Sequence, residues 1–189
     1  QDKIKAKRIL IWVLVGLILF FELARRIINF CKSSELDFNS VMYILMPRPW
    51  CAISCWTLII AAIANKKFLY NFASMTALLC ALIFFAYPEA GFNSTYLLFE
   101  QLYSIATHCL LLITSILLIT LKFTDFRYKG IWKEGICLAI VFVYAFIEIY
   151  LLKIATDPLY FMPGNDVQDI FGVGYGAYIA IYIVFLLIF

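Results

Sequence analysis

Charged residues are scarce in this 189-residue chain, because they make up only 14% of it. A soluble globular domain has about 25% charged residues, so the composition excludes a soluble enzyme and a disordered chain. The net charge of +3 is small and dispersed, and we predict no nucleic-acid binding. Instead, 65% of the residues are hydrophobic and the mean hydropathy is +0.96. The sequence therefore predicts an integral membrane protein.

Histidine is almost absent, and the cysteines lack the spacing of a metal site. His108 is the single histidine, and five of the six cysteines lie inside apolar runs. A structural zinc site needs Cys and His ligands at set spacings. We therefore predict no metal and no cofactor, and we interpret most of the cysteines as small buried hydrophobes.

Six apolar stretches are long enough to cross a bilayer. A helix needs about 20 predominantly apolar residues to do so, and an open strand would leave its amides unpaired in lipid. We predict an all-α bundle of at least six transmembrane helices in a single domain, residues 1–189. The stretches are 9–30, 41–64, 68–87, 96–121, 136–154 and 173–189.

The basic residues predict the orientation of these helices. Ten Lys and Arg fall on the side of the N-terminus and five on the other side, and the more basic side is cytoplasmic in membrane proteins. We expect the N-terminus of this segment to lie in the cytoplasm and the protein to lie in the plasma membrane. The chain starts with Gln1 and not with Met, and we interpret its basic start, residues 3–8, either as a cytosolic tail or as a loop after a further helix upstream.

Prolines interrupt the second stretch near its start. Pro47 and Pro49 have no amide donor, so we expect them to kink this helix or to delay its start. The other unusual residues of the spans are ionisable. Such groups are costly in a membrane and usually face the interior of a bundle.

Four of these residues are predicted to lie at one level of the outer leaflet. Cys51 and His108 lie roughly ten residues inside stretches that enter from the outer face. Glu22 and Glu148 lie in the last halves of stretches that run outward. Helical rise then places all four at a similar depth.

A Cys and a His at one depth indicate nucleophilic catalysis. A neighbouring histidine generates the reactive thiolate, and a carboxylate behind the imidazole fixes its tautomer. Glu22 or Glu148 is the candidate carboxylate. The alternative is purely structural: a packed Cys51, and a His108 bonded to a carboxylate or to a backbone carbonyl.

Arginines near the outer surface are candidates for binding lipid phosphates. Arg25, Arg26 and Arg48 fall at this level, and the forked guanidinium matches a phosphate in geometry. The alternative is ordinary snorkelling of these side chains to the membrane interface.

Four short segments carry a resemblance to a known family. Residues 46–51, Met-Pro-Arg-Pro-Trp-Cys, precede an apolar run and the basic turn 65–70, and the pair Thr107 and His108 lies in the fourth stretch. A weaker match runs through 156–160. In these features the chain resembles the YwaF-like integral membrane proteins, which are in turn distantly similar to a eukaryotic transmembrane phospholipid acyltransferase.

The resemblance implies acyl transfer between membrane phospholipids, with Cys51 and His108 as the catalytic residues. Membrane phospholipids would then be the partners, and membrane proteins are further possible partners. A non-catalytic subunit for substrate binding, transport or assembly is the alternative. As substrate-binding candidates we take Glu22, Arg25, Arg26, Arg48, Glu148, Asp157 and Tyr160.

Overall fold

The computed structural model describes residues 2–34, 37–86, 99–127, 130–154, 159–160, 163–164, 168–169 and 172–188. These residues are helical or irregular and contain no strand, so the predicted all-α class is confirmed for them. The helices are α1 (Asp2–Lys32), α2 (Phe38–Leu45), α3 (Trp50–Ala64), α4 (Lys67–Ala86), α5 (Phe99–Thr120), α6 (Ile131–Phe146) and α7 (Tyr175–Ile188). A π-helical turn, Ile147–Leu151, extends α6.

Helix α4 lies between α3 and α5, and α1 packs across α3 and α5. Small residues form the contacts, since Ala61, Ala73, Ala77 and Ala81 are completely buried. Small side chains let helix backbones approach closely, which is how helices associate where the surroundings are as apolar as the helices. We call the end at which α1 ends and α5 begins the upper end, and the opposite end the lower end.

The outer surface is apolar. On α6, for example, Ile136, Ile140 and Val143 have exposed fractions of 49%, 62% and 59%. An extended surface of this kind is typical of a membrane-facing helix. Helices α4 and α5, and α6 with its π-helical turn, are long and apolar enough to cross a membrane.

The expected count of six spans is not met by the described residues. Three helices qualify, and a fourth span is obtained if α2 and α3 are counted as one bent pair. Helix α1 has 31 residues, but Glu22, Arg25 and Arg26 interrupt its apolar stretch. Helix α7 has 14 residues, or about 21 Å, which is shorter than the hydrocarbon core of about 30 Å.

The second predicted span is broken, as its prolines led us to expect. Helices α2 and α3 meet at an angle of 62°, and the break at 46–49 contains both prolines. Asp37 caps α2 by accepting a hydrogen bond from the Ser40 amide at 2.9 Å. Cys51 is therefore the second residue of a new helix and not ten residues inside a long one.

Candidate functional site

Cys51 lies in the first turn of α3 and is half-buried. It packs against the main apolar core together with Trp50. Pro49, at the N-cap, has no side-chain acceptor, and its carbonyl already accepts from the amides of Ala52 and Ile53. The amides of Trp50 and Cys51 are first-turn donors, which have no partner within the helix. The Cys51 thiol therefore lies at the N-terminus of α3, which is the positive end of the helix dipole.

His108 lies in the middle of α5 and is buried, with 7% of its surface exposed. Its ring stacks on Phe84, with 3.8 Å between the ring centroids. Nδ1 lies 2.7 Å from the carbonyl oxygen of Ser104. Because a carbonyl only accepts, Nδ1 carries the proton and donates it, which leaves the lone pair of a neutral ring on Nε2. The histidine is thus oriented as a base that acts through Nε2.

Contacts with α4 relate Cys51 to His108. The Ser54 and Cys80 side chains are hydrogen bonded at 3.3 Å, which sets the register of α3 against α4. Phe84, on which the His108 ring stacks, lies one helical turn after Cys80 on α4. Cys51 lies almost one turn before Ser54 on α3, which runs antiparallel to α4. Both residues therefore belong to one level of the bundle, in its upper half. A direct approach of the thiol to the imidazole stays a prediction.

Glu22 joins α1 to α5 and does not orient the histidine. It is completely buried, and its Oε1 accepts a 2.6 Å hydrogen bond from the Tyr103 hydroxyl. Its Oε2 accepts from Arg26 Nη1 and lies 3.5 Å from Arg25 Nη2. The prediction that the Glu22 carboxylate orients the imidazole of His108 is therefore wrong. The carbonyl of Ser104 contacts Nδ1 of the ring instead.

Glu148 is held by the π-helical turn that ends α6. The carboxylate is completely buried, and its Oε1 accepts a 2.8 Å hydrogen bond from the Tyr144 hydroxyl. Among the residues that the structure describes, its Oε2 has no hydrogen-bond partner. The same hydroxyl lies 3.2 Å from the carbonyl oxygen of Pro47. Tyr144 therefore connects Glu148 to the break before α3, and none of the hydrogen bonds of Glu148 in the described residues is to His108.

Arg48 uses its donors on backbone carbonyls around that break. Its Nη1 donates to Ile154 at 3.2 Å, and its Nη2 donates to Tyr43. The guanidinium also lies 3.4 Å from the centroid of the Tyr43 ring. These contacts connect α2 with the end of α6. Arg48 therefore has a structural role at the upper end of the bundle.

Arg25 and Arg26 surround Glu22. Arg26 Nε donates to the Leu45 carbonyl at 3.2 Å, and its guanidinium lies over the Trp56 ring. The Arg25 guanidinium lies 5.6 Å from the Tyr103 ring centroid. Arg25 also lines a cavity of about 300 Å³ between α1 and α5. Its other lining residues are Ile28, Asn29, Phe99, Glu100, Tyr103 and Ser104.

Two predicted residues precede the last helix in the sequence. Asp157 is outside the described residues. The carbonyl of Tyr160 accepts a hydrogen bond from the Tyr178 hydroxyl, which connects this segment to α7.

Sequence reasoning missed the partners of the charged groups. Tyr103, Ser104, Tyr144 and Phe84 hold Glu22, His108 and Glu148 in place. Only the spacing of Tyr144 and Glu148, four residues apart on one helix, was a usable signal. In the described part of the chain no three His, Cys, Asp or Glu side chains are grouped to hold a metal ion.

Comparison with family models gives a match over residues 1–189. The chain belongs to the TMEM164 family. This is a family of transmembrane proteins, and together with the apolar helices it supports a membrane location. The match confirms neither the resemblance to YwaF-like proteins nor that to an acyltransferase. Comparison with curated proteins and with solved structures gives no match.

Membership in the TMEM164 family agrees with the class of protein predicted from composition. The cytoplasmic N-terminus and the plasma membrane stay predictions. The same holds for every substrate-binding and catalytic role assigned above.

Proposed function

We propose that this protein transfers acyl chains between membrane lipids through a thioester on Cys51, with His108 as the proton carrier. The observation that supports this most strongly is the environment of the two residues. The half-buried thiol of Cys51 lies in the first turn of α3, and the buried His108 lies at the same level of the bundle. His108 contacts the Ser104 carbonyl through Nδ1, so its Nε2 lone pair takes no part in that contact. The resemblance of residues 46–51 and of Thr107 and His108 to the YwaF-like proteins, which are distantly similar to a phospholipid acyltransferase, supplies the reaction class.

In the first half-reaction, His108 Nε2 removes the thiol proton of Cys51, and the thiolate attacks the ester carbonyl of a donor phospholipid. First-turn amides of α3 are suited to bind the oxyanion of the tetrahedral intermediate, since they are unpaired helix donors. The intermediate collapses to an acyl-Cys51 thioester. The leaving alkoxide takes the proton from His108 and departs as a lysophospholipid.

In the second half-reaction, an acceptor lipid hydroxyl gives its proton to His108 and attacks the thioester carbonyl. The C–S bond breaks, the new ester forms, and the Cys51 sulfur regains its proton from His108. The apolar surroundings of the core favour a lipid hydroxyl over water as the acceptor.

Helix α1 belongs to the membrane domain in this proposal. Its 31 residues measure about 46 Å, more than the hydrocarbon core requires. Its buried Glu22 is not left alone in the apolar core, because the carboxylate is paired with Arg25 and Arg26. We therefore propose that α1 spans the membrane, that α7 is part of a further span, and that the N-terminus of this segment is cytoplasmic.

The test is a covalent acyl adduct. Purified protein is incubated with phospholipids labelled in the acyl chain, and the protein-bound label is released by hydroxylamine, which cleaves thioesters. We expect an adduct with the native protein and none with Cys51→Ala. Cys55→Ala is the matched control, because Cys55 lies one turn further along α3 and is completely buried. It should retain the adduct.

The role of His108 has its own readout. His108→Ala should form the adduct at least 100-fold more slowly, the size of effect expected on removing a general base. An adduct that persists in Cys51→Ala would contradict the nucleophile. Absence of both adduct and lipid turnover in the native protein, across a broad panel of phospholipids, would favour the non-catalytic membrane subunit.

A further inference from the structure

Three oxygen atoms form a chain between α6 and the break before α3. Glu148 Oε1 lies 2.8 Å from the Tyr144 hydroxyl, and the same hydroxyl lies 3.2 Å from the Pro47 carbonyl oxygen. Two hydrogen bonds require two protons, but a tyrosine hydroxyl carries one and a carbonyl carries none. If Glu148 is ionised, it therefore takes the Tyr144 proton and leaves the Pro47 carbonyl without a donor.

A proton on Glu148 completes this chain. A protonated carboxyl group is a donor, so Glu148 donates to the Tyr144 oxygen and the Tyr144 hydrogen is free to bind Pro47. The 2.8 Å separation of Glu148 and Tyr144 is an ordinary length for an O–H···O hydrogen bond in either direction. Both contacts are complete hydrogen bonds only in this form.

The surroundings of the Glu148 carboxyl group favour the same form. The side chain is completely buried, and in the part of the chain that the structure describes its Oε2 has no hydrogen-bond partner. An ionised carboxylate accepts at both oxygens, so most of its acceptor capacity would be unused here. A buried charge without partners is far more costly than a neutral acid.

Arg48 faces Glu148 from the break, but the two do not form an ion pair in the described residues. Its Nη1 and Nη2 donate instead to the carbonyls of Ile154 and Tyr43. Arg26, the other cation on this side of the bundle, is paired within α1. Neither arginine therefore compensates a negative charge on Glu148 by direct contact.

A second connection joins Glu148 to the same break. The Ile154 amide donates to the Glu148 carbonyl at 3.1 Å, and the Ile154 carbonyl accepts from Arg48. Pro47 and Arg48, which Glu148 reaches through these two connections, lie four and three residues before Cys51. The place of the first turn of α3 therefore depends on Glu148.

We propose that Glu148 is a neutral carboxylic acid that donates its proton to Tyr144, and that the two residues position Cys51 by holding the Pro47 carbonyl. Neither residue touches the reacting atoms, so both are positioning residues. The proposal rests on the proposed function only for the role of Cys51. The proton and the restraint on the break are properties of the folded chain with or without acyl transfer.

Infrared spectroscopy detects the proton directly. The C=O stretch of a protonated carboxyl group lies above the amide I band, and an ionised carboxylate lacks it. The difference spectrum of the full chain in detergent at neutral pH, native protein minus Glu148→Gln, should contain this band. Carboxylate bands in its place would overturn the neutral acid.

Hydrogen exchange of the amides of residues 50–54 measures the restraint on α3. Glu148→Gln should exchange within about twofold of the native protein, because the amide group of Gln donates to Tyr144 as the neutral acid does. Glu148→Ala and Tyr144→Phe should exchange about fivefold faster or more, which corresponds to about 1 kcal/mol for a lost hydrogen bond. Exchange in Glu148→Gln as fast as in Glu148→Ala would show that a charge is required and would overturn the neutral acid.

Glu134→Ala is the matched control for a general loss of stability. Glu134 is a carboxylate on the same helix, and it accepts from Asn71 at the lower end. The variant should melt at a lower temperature while residues 50–54 exchange within about twofold of the native protein. Faster exchange there, equal to that of Glu148→Ala, would overturn the specific restraint.

The rate of acyl-adduct formation connects the restraint to Cys51. Glu148→Ala and Tyr144→Phe should form the adduct at least fivefold more slowly, and Glu148→Gln at the native rate. Native-like exchange in Tyr144→Phe would overturn the connection to Pro47, and native-like adduct formation in that variant would overturn the positioning of Cys51. If Glu148→Ala fails to fold, Glu148→Gln and Tyr144→Phe decide these points. A native protein with the infrared band and a protected start of α3, but without an adduct, would contradict only the proposed function.

Discussion

Replacement of Asn71 by alanine should destabilise the lower end of the bundle strongly. Asn71 lies on α4 and is 97% buried, with 3% of its surface exposed. Its Nδ2 donates to the Asp125 carbonyl and to Glu134 Oε1, both at 2.8 Å. Its Oδ1 accepts from the Asp125 amide at 2.7 Å. One side chain thus ties α4 to the segment after α5 and to α6.

The magnitude follows from these three hydrogen bonds. Each contributes about 1 kcal/mol in net terms, and the one to the Glu134 carboxylate contributes somewhat more. The loss for Asn71→Ala is therefore about 3–4 kcal/mol. In a chain of this length 1 kcal/mol corresponds to about 2–4 °C in Tm. We expect a decrease of roughly 6–16 °C.

The assay is the loss of monodisperse protein in detergent after heating at a series of temperatures, at one fixed heating time. The control is Asn39→Ala, the same substitution at an exposed position on α2. Its Tm should lie within about 2 °C of the parent, since surface substitutions usually change stability by less than about 0.5 kcal/mol. A decrease in Asn71→Ala no larger than that of the control would refute the reasoning.

Two further predictions concern the backbone and pH. Gly172 has a φ of +60°, and a left-handed conformation costs roughly 1–2 kcal/mol in residues other than glycine. Gly172→Ala should therefore lower Tm by several degrees. Gly174→Ala is the control and should leave Tm unchanged, because Gly174 has an ordinary φ and open space around its Cβ position. Hydrogen bonds from the Ser40 side chain and amide hold the pKa of the Asp37 carboxyl below its ordinary value. The cap of α2 is therefore fully present above about pH 4 and is lost as the pH falls through the lowered pKa. Hydrogen exchange in α2, corrected for intrinsic rates, should rise at low pH in the native protein and stay flat in Asp37→Asn, which caps without titrating. Parallel pH profiles in the two proteins would contradict this.

The sequence by itself determined the class of the protein and several local features. An apolar composition with few charges predicts that the chain lies in a lipid bilayer. Backbone amides in lipid must be hydrogen bonded within the protein, and a helix pairs every amide within one segment. The break before Cys51 was predictable too, because Pro47 and Pro49 have no donor for a continuous helix.

Tertiary structure alone decided which groups meet. Glu22 is bonded to Tyr103, which is 81 residues away, and that pairing depends on how α1 and α5 are rotated about their axes. Periodicity in either helix is too weak to fix this rotation, since both are apolar on nearly every side. His108 likewise depends on a backbone carbonyl, which every residue possesses, so no residue type marks its partner.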